Sequence, residues 1–383
     1  MGKDKLLVNR RHMIKTLGLG ALAVGFAGCT SSTKKAVTDP GSTAAVFMGH
    51  GKRATFEKIL KPSNVSLIKG NDARDNTFKA LKNIEDEIMA SLEGKKRILI
   101  KPNFVVVTTP LCATSVDAVR GILDFIKPRF KGPIEIGEAT VSGAKGSAMG
   151  SEGTFAGFRD YGYLPLEKEY GVKLLDLNLE PHVVRYIFNS NGNKPQPIRI
   201  IAKYLDRDQY LISAGKMKTH NCVLVTLSLK NILMGAPKND YKTQNDKFLM
   251  HSMAPFNVSA KGFKLNLTKD MVLHYNLFQI SQDAYPDLGV LDAFVSMEGD
   301  GPIDGTPVET HLALASIDPL ALDSLGTKIM GFDPTQVLYL SSMNEAGMGQ
   351  GDLDKINVIG AKLNECLFKF KPHSMLVEPY GLG

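Results

Sequence analysis

The sequence predicts an α/β fold built on a mostly parallel sheet with helices on both faces. Three observations predict it. Short apolar runs bounded by charge, Pro or Gly alternate with longer segments whose apolar residues recur at helical spacing. Helix start and stop signals flank several of those longer segments, most clearly at Asp318, Pro319 and Gly331. Polar clusters follow directly after the strand runs, as they do where strands of one direction end on a common rim. The 383 residues suit one large domain or two interleaved lobes, and 43% hydrophobic residues suit a packed core.

Residues 1–29 read as an export signal. Arg10 and Arg11 precede an apolar, Gly- and Ala-rich run from Leu17 to Ala27, and Gly28 and Cys29 close it. The paired arginines resemble a twin-arginine signal. "FAGC" resembles a lipobox, with Phe26 where Leu is more usual. Cys29 would then carry the lipid that holds the protein to a membrane. A short uncleaved anchor is the competing reading, and both place the body outside the cytoplasm. Residues 30–43 are polar and rich in breakers, so they read as a flexible tether. The globular body is expected over residues 44–383. The twin-arginine route exports folded chains, which suits a protein that takes up a cofactor or metal before it leaves.

Within the body, "RILIKPNF" at 97–104 reads as a strand. In the next segment Val116, Val119, Ile122, Leu123 and Ile126 mark one helical face, with Thr114 or Ser115 as cap. A strand at 133–140 and a broken helix at 155–171 follow. "VKLLDLNL", "VRYIFN", "PIRIIAKYL" and "DQYLISAG" read as strands, and "VLVTLSLKNILMG" as a helix ending at Gly235. "MVLHYNLFQISQDAY" reads as a helix, "GVLDAFVSM" and "HLALAS" as strands. Asp318 caps the next helix, Pro319 opens it and Gly331 follows its end. Asp333 and Pro334 begin another in the same way, and "INVIGA" is the last strand.

Composition excludes some functions. The formal charge is +7, but Lys3, Lys5, Arg10, Arg11 and Lys15 against Asp4 put about +4 of it in residues 1–28. The small remainder, with no Trp and scattered Phe and Tyr, argues against a nucleic-acid partner. Cys29, Cys112, Cys222 and Cys366 contain no CxxC pair, so no iron–sulfur cluster or cysteine-built zinc site is expected within this chain.

Five polar clusters follow strand runs: Lys101 to Asn103, Glu138 to Thr140, Lys216 to His220, Glu298 to Pro302, and Asp318. Turns at strand ends use polar residues anyway, which explains Pro, Gly and Asn better than it explains Lys and His. Lys216 and Lys218 are two apart, so on a strand they face the same way. With Thr219 and His220 beside them they suit an anion. Lys230 and Asn231 lie on the following helix, where a lysine among apolar residues needs a partner. The expected ligand-binding residues are therefore Lys101, Asn103, Lys216, Lys218, Thr219, Lys230 and Asn231. His220, Glu138 and Asp300 are the acid–base candidates. His220 and His251 with a carboxylate such as Glu138, Asp300 or Glu298 would be the donors of a divalent metal, without HxH or HExxH spacing to support them. His274, alone on an apolar helix, reads as a core residue. The acidic, glycine-rich stretch at 298–309 is neither a Walker loop nor a dinucleotide fingerprint.

Taken together, "IKPNF", "IGEAT", "KMKTHNCVLVTLSLKNILMG", "LDAFVSMEGDGPIDGTPVE" and "IDPLALDSLGTKIMGFDP" resemble domain of unknown function 362 over residues 95–360. The resemblance implies no settled reaction. Some members carry an added ferredoxin-like segment, which this sequence lacks. Three functions stay open. The chain could be an exported catalyst acting on an anionic small molecule, a membrane-tethered binding protein without catalysis, or an accessory of a redox complex whose partner supplies the clusters.

Overall fold

The computed structural model describes residues 51–141, 153–188, 195–241, 243–251, 256–260, 263–267 and 269–376. The expected signal at 1–29 and tether at 30–43 lie outside the described residues. No described helix is long and apolar enough to cross a membrane.

The first part of the chain gives β1 (Ser63–Lys69), α1 (Ala73–Lys82), α2 (Glu85–Leu92), β2 (Arg97–Pro102), α3 (Val116–Ile126) and β3 (Ile134–Glu138). Next come α4 (Thr154–Asp160), α5 (Pro165–Tyr170), β4 (Lys173–Asp176), β5 (His182–Phe188), β6 (Pro195–Ile201), β7 (Gln209–His220) and β8 (Leu224–Thr226). Then follow α6 (Ser228–Gly235), α7 (Asp246–Leu249), β9 (Phe256–Ala260), β10 (Phe263–Leu267), α8 (Lys269–Ile280) and β11 (Leu288–Glu298). The last elements are β12 (Thr306–Ser316), α9 (Pro319–Ile329), α10 (Leu338–Glu345) and β13 (Ile356–Gly360).

Among the described residues one sheet has nine strands in the order β13-β1-β12-β11-β7-β2-β3-β4, with β8 folded back onto the end of β7. β11, β7, β2, β3 and β4 run parallel to one another. β12 runs against β11 and against β1, so β1 and its parallel neighbour β13 share the direction of the main group. The mostly parallel α/β class is as predicted. Of the two arrangements left open, residues 48–383 form a single compact unit.

β7 is buried along its whole length. Its side chains alternate between two cores, as a period of two requires. Leu211 and Met217 pack with α6 and α9, whereas Tyr210, Ile212 and Ala214 pack with α1 and α3. A strand covered on both faces reads as a near-continuous apolar run, which is why "YLISAG" was legible. The caps behave as read. Ser115 accepts from the Ala118 N–H at the start of α3. Asp318 accepts from the Leu320 and Ala321 N–H groups at the start of α9, and Gly331 leaves that helix at φ 92°.

Two readings are corrected. Residues 224–226 are strand rather than helix: β8 pairs Lys218 with Thr226 and His220 with Leu224, and α6 begins only at Ser228. Asp318 is on the opposite edge of the sheet from the other polar clusters. β11 and β12 are joined by residues 299–305, too short for the parallel crossover of about a dozen residues, so they form a hairpin and β12 descends. β1, α1, α2 and the β9–β10 hairpin were not read from the sequence.

Candidate functional site

The carboxyl ends of β2, β3 and β7 meet the start of α6 around a cavity of about 360 Å³. Its wall includes Lys101, Asn103, Glu138, His220, Lys230, Asn231 and His251, all expected from the sequence. The parallel direction of three strands brings together groups more than a hundred residues apart in the chain.

The floor is an ion pair. Lys101 Nζ lies 2.8 and 2.9 Å from the two carboxylate oxygens of Glu138, with both side chains 2% exposed. It also donates to Pro102 O and to Asn231 Oδ1, each at 2.9 Å. Glu138 accepts further from the Phe104 N–H at 2.9 Å and the Ala139 N–H at 2.6 Å. Removing two charges from water costs several kcal/mol per ion, and only a fully bonded pair offsets that. Burial pushes the Lys101 pKa down, and the Glu138 charge opposes the shift. Asn231 completes the floor: its Oδ1 also accepts from Asn103, and its Nδ2 donates to Lys101 O and Ser213 Oγ. Three donors thus make four hydrogen bonds to the two oxygens of Glu138, which hold Lys101 and the two backbone N–H groups in place.

The wall is different. Lys230 is 6% exposed and has no hydrogen-bond or ion-pair partner among the described residues. Burial first, and then the neighbouring charge of Lys218, push its pKa down to about 7. His220 Nδ1 accepts from the Cys222 N–H at 3.0 Å, so a neutral His220 ring carries its hydrogen on Nε2. Burial and Lys230 hold His220 well below its ordinary pKa. The His251 ring stacks on it at 6.3 Å, and burial followed by Lys230 lowers His251 to about 4. Both rings are thus neutral at physiological pH. Among the described residues, two fully buried oxygens of lining residues, Asn103 Oδ1 and Thr226 Oγ1, have no hydrogen-bond partner.

The remaining expected residues lie elsewhere. Lys216 and Lys218 do face the same way, but that side of β7 is covered. Lys216 Nζ pairs with Asp292 at 2.9 Å, and Lys218 Nζ donates to the carbonyl of Cys112. Burial brings Lys218 down to about 8. Thr219 donates to Gly299 O at 2.9 Å, tying β7 to the glycine-rich loop. Glu298 accepts from the Lys371 N–H at 2.8 Å and Asp300 from the Ser374 N–H at 3.0 Å. Both acids fasten the loop to the C-terminal segment, and the exposed Asp300 is not brought to His220. The His220, His251 and Glu298 set is not assembled either. Among the described residues, no three His, Cys, Asp or Glu side chains stand together as a metal would need. His274 accepts from the Tyr339 N–H inside the core.

Three residues were missed. Lys247 lines the cavity and donates to the carbonyls of Met234, Gly235 and Pro237 at 3.1, 2.9 and 2.6 Å, capping the end of α6. Asp323, on α9, accepts from the Ser228 and Leu229 N–H groups at 2.9 and 2.8 Å and so caps the other end. Asp292 neutralises Lys216. Asp292 and Asp323 stand alone in apolar runs, the signal that identified Lys230. Lys247 had only its place four residues before His251.

Fold and site together define an α/β protein with a lysine-bearing pocket at the carboxyl rim of a mostly parallel sheet. The chain belongs to the family described as Domain of unknown function (DUF362), whose model matches residues 98–328. It is similar to the thylakoid-associated protein sll1697 of Synechocystis sp., at 26% identity over 254 residues, covering 66% of this chain and 68% of that one. A crystal structure of a Thermotoga maritima protein covers 73% of this chain at a TM-score of 0.38 and 10% identity, and this chain spans 60% of its length.

Proposed function

We propose that the pocket binds a small anionic organic molecule, and that Lys230 is its principal cation. One observation carries this reading: Lys230 is a buried amine facing a cavity with no carboxylate beside it. A buried lysine without a partner is costly, and an anion entering the cavity offsets that cost. The His220 Nε2–H supplies a donor for the anion's oxygens. The neutral Lys101–Glu138 floor neither attracts nor repels it.

Calorimetric titration of the full-length chain with small mono- and dicarboxylates and with phosphate tests the proposal. Micromolar binding to at least one of them, lost in Lys230→Met, is expected. Binding that Lys230→Met leaves unchanged would reject the role of Lys230.

The site works outside the cytoplasm in this proposal, with the body exported by the twin-arginine route and held by lipid on Cys29. A relative described as thylakoid-associated supports a membrane-associated place. Metabolic labelling with a fatty-acid analogue should tag the wild type and not Cys29→Ala; equal labelling of both would exclude that anchor.

A further inference from the structure

We infer that Lys230 is a nucleophile as well as a counter-charge, and that it captures the carbonyl of a small 2-oxo acid as an imine. The inference rests on the anion-binding reading and narrows its ligand to acids with a carbonyl beside the carboxylate. The geometry that supports it is the setting of the amine. Lys230 reaches the cavity wall with no acceptor to hold its proton and no ion pair to occupy it among the described residues. Lys101, in the same cavity, is saturated by Glu138, Asn231 and Pro102, and Lys247 by three carbonyls. Of the lysines on this wall, Lys230 is therefore the amine available to react. Its pKa of about 7 leaves a large neutral fraction at physiological pH. An ordinary lysine is neutral in only about one molecule in two thousand at that pH.

The ligand class follows from charge. The nitrogen of Lys230 adds to the carbonyl carbon, giving a carbinolamine. The C–O bond then breaks and the oxygen leaves as water. Counted from the ammonium, two hydrogens leave in that water and one stays on the iminium nitrogen, so no oxidant or reductant is needed. The positive charge is kept one bond from the carboxylate of a 2-oxo acid, where it still serves as counter-charge. A simple aldehyde offers no such pairing. His220 lines the same cavity, and with its Nδ1 taken by the Cys222 N–H its Nε2–H is the ring donor left for the carboxylate oxygens.

The test uses the full-length chain with pyruvate and cyanoborohydride at neutral pH, followed by peptide mass spectrometry, with lactate titrated in parallel as the same acid without the carbonyl. The reduced pyruvyl adduct should concentrate on Lys230, roughly a thousandfold above ordinary lysines by neutral fraction. Adducts spread evenly over surface lysines, with Lys230 no richer than the rest, would overturn the inference. Lys230→Arg, which keeps the charge without the nucleophilic amine, should lose the adduct. Lys230→Met, checked for folding by circular dichroism, tests loss of the adduct if the arginine variant does not fold. Lactate binding without a pyruvyl adduct refutes the imine and leaves the anion pocket standing. An adduct at Lys230 without lactate binding supports the imine and shows that the pocket holds the acid only through its carbonyl. Neither result refutes both.

Discussion

Replacing Glu138 by glutamine removes the carboxylate that faces Lys101 while keeping its size. The lysine is then left in a site where it is 1% exposed, with Pro102 O, Asn231 Oδ1 and the single amide oxygen of the glutamine as uncharged acceptors. Breaking a buried ion pair from one side costs about 3–5 kcal/mol, because the surviving charge stays buried. The amide also turns a donor toward one of the Phe104 and Ala139 N–H groups that Glu138 now accepts, which strains the same spot. Against a total stability of about 5–15 kcal/mol that loss is large. At about 2 °C per kcal/mol for a chain of this size, it corresponds to a fall in Tm of about 6–10 °C. Lys101→Met should be destabilising in its own right. The two changes together should cost about 1.5–3 kcal/mol less than their sum, since the second removes the charge the first had stranded. Urea unfolding of the four proteins measures this directly. Single variants that each lose under about 1 kcal/mol, or losses that simply add, would refute a buried, coupled pair.

Anion affinity should depend on pH through Lys230. Its folded pKa is depressed to about 7, so below about pH 6 the amine is already charged and affinity is flat; above pH 7 each unit should cost about tenfold, and titrations from pH 5.5 to 8.5 showing no slope would contradict the assignment. The same depression means that Lys230 weakens the fold at low pH and ceases to do so as pH rises from about 7 toward the unfolded value. Asp323→Ala should strand the Ser228 and Leu229 N–H groups, cost about 1–3 kcal/mol for each in urea unfolding, and weaken anion binding by letting the first turn of α6 move. Gly235→Ala would place a methyl group 2.2 Å from Lys101 Cε and 2.8 Å from Tyr204 Oη, so a loss of about 1–3 kcal/mol in the same assay is expected.

Much of the site was legible because direction and context are written locally. Parallel strands announce themselves as covered apolar runs, and whatever follows them falls on one rim. That rule placed Lys101, Asn103, Glu138 and His220 together. Lys230 was found because a charge inside an apolar helix must answer to something. The same rule, applied to Asp292 and Asp323, would have shown that Lys216 was already neutralised and that α6 was capped from another helix. What could not be read was pairing across the chain. Strand periodicity says that Lys216 and Lys218 share a side, but not which side is covered, and here the covering element is the segment ending at Cys112. The hairpin between β11 and β12 was readable in principle from the short 299–305 connection, and it alone would have removed Asp318 from the rim.

Among the described residues five lysines are buried around this rim, and the fold deals with them unequally. Lys101 and Lys216 each have a carboxylate, Glu138 and Asp292. Lys247 sits on the carbonyls that end α6, where the helix dipole also favours a cation. Lys218 has the carbonyl of Cys112. Lys230 has none of these, and its charge is felt by both histidines and, in turn, depressed by Lys218. A fold selected only for stability would place a Met or Leu at this point of an apolar helix, since exchanging a buried charge for an apolar side chain of similar volume is neutral or favourable. It keeps instead an amine that destabilises the empty pocket. Such an arrangement pays only when something negative comes to fill it. The complement that Lys101 and Lys216 find within the chain, Lys230 would find in the anion proposed for it.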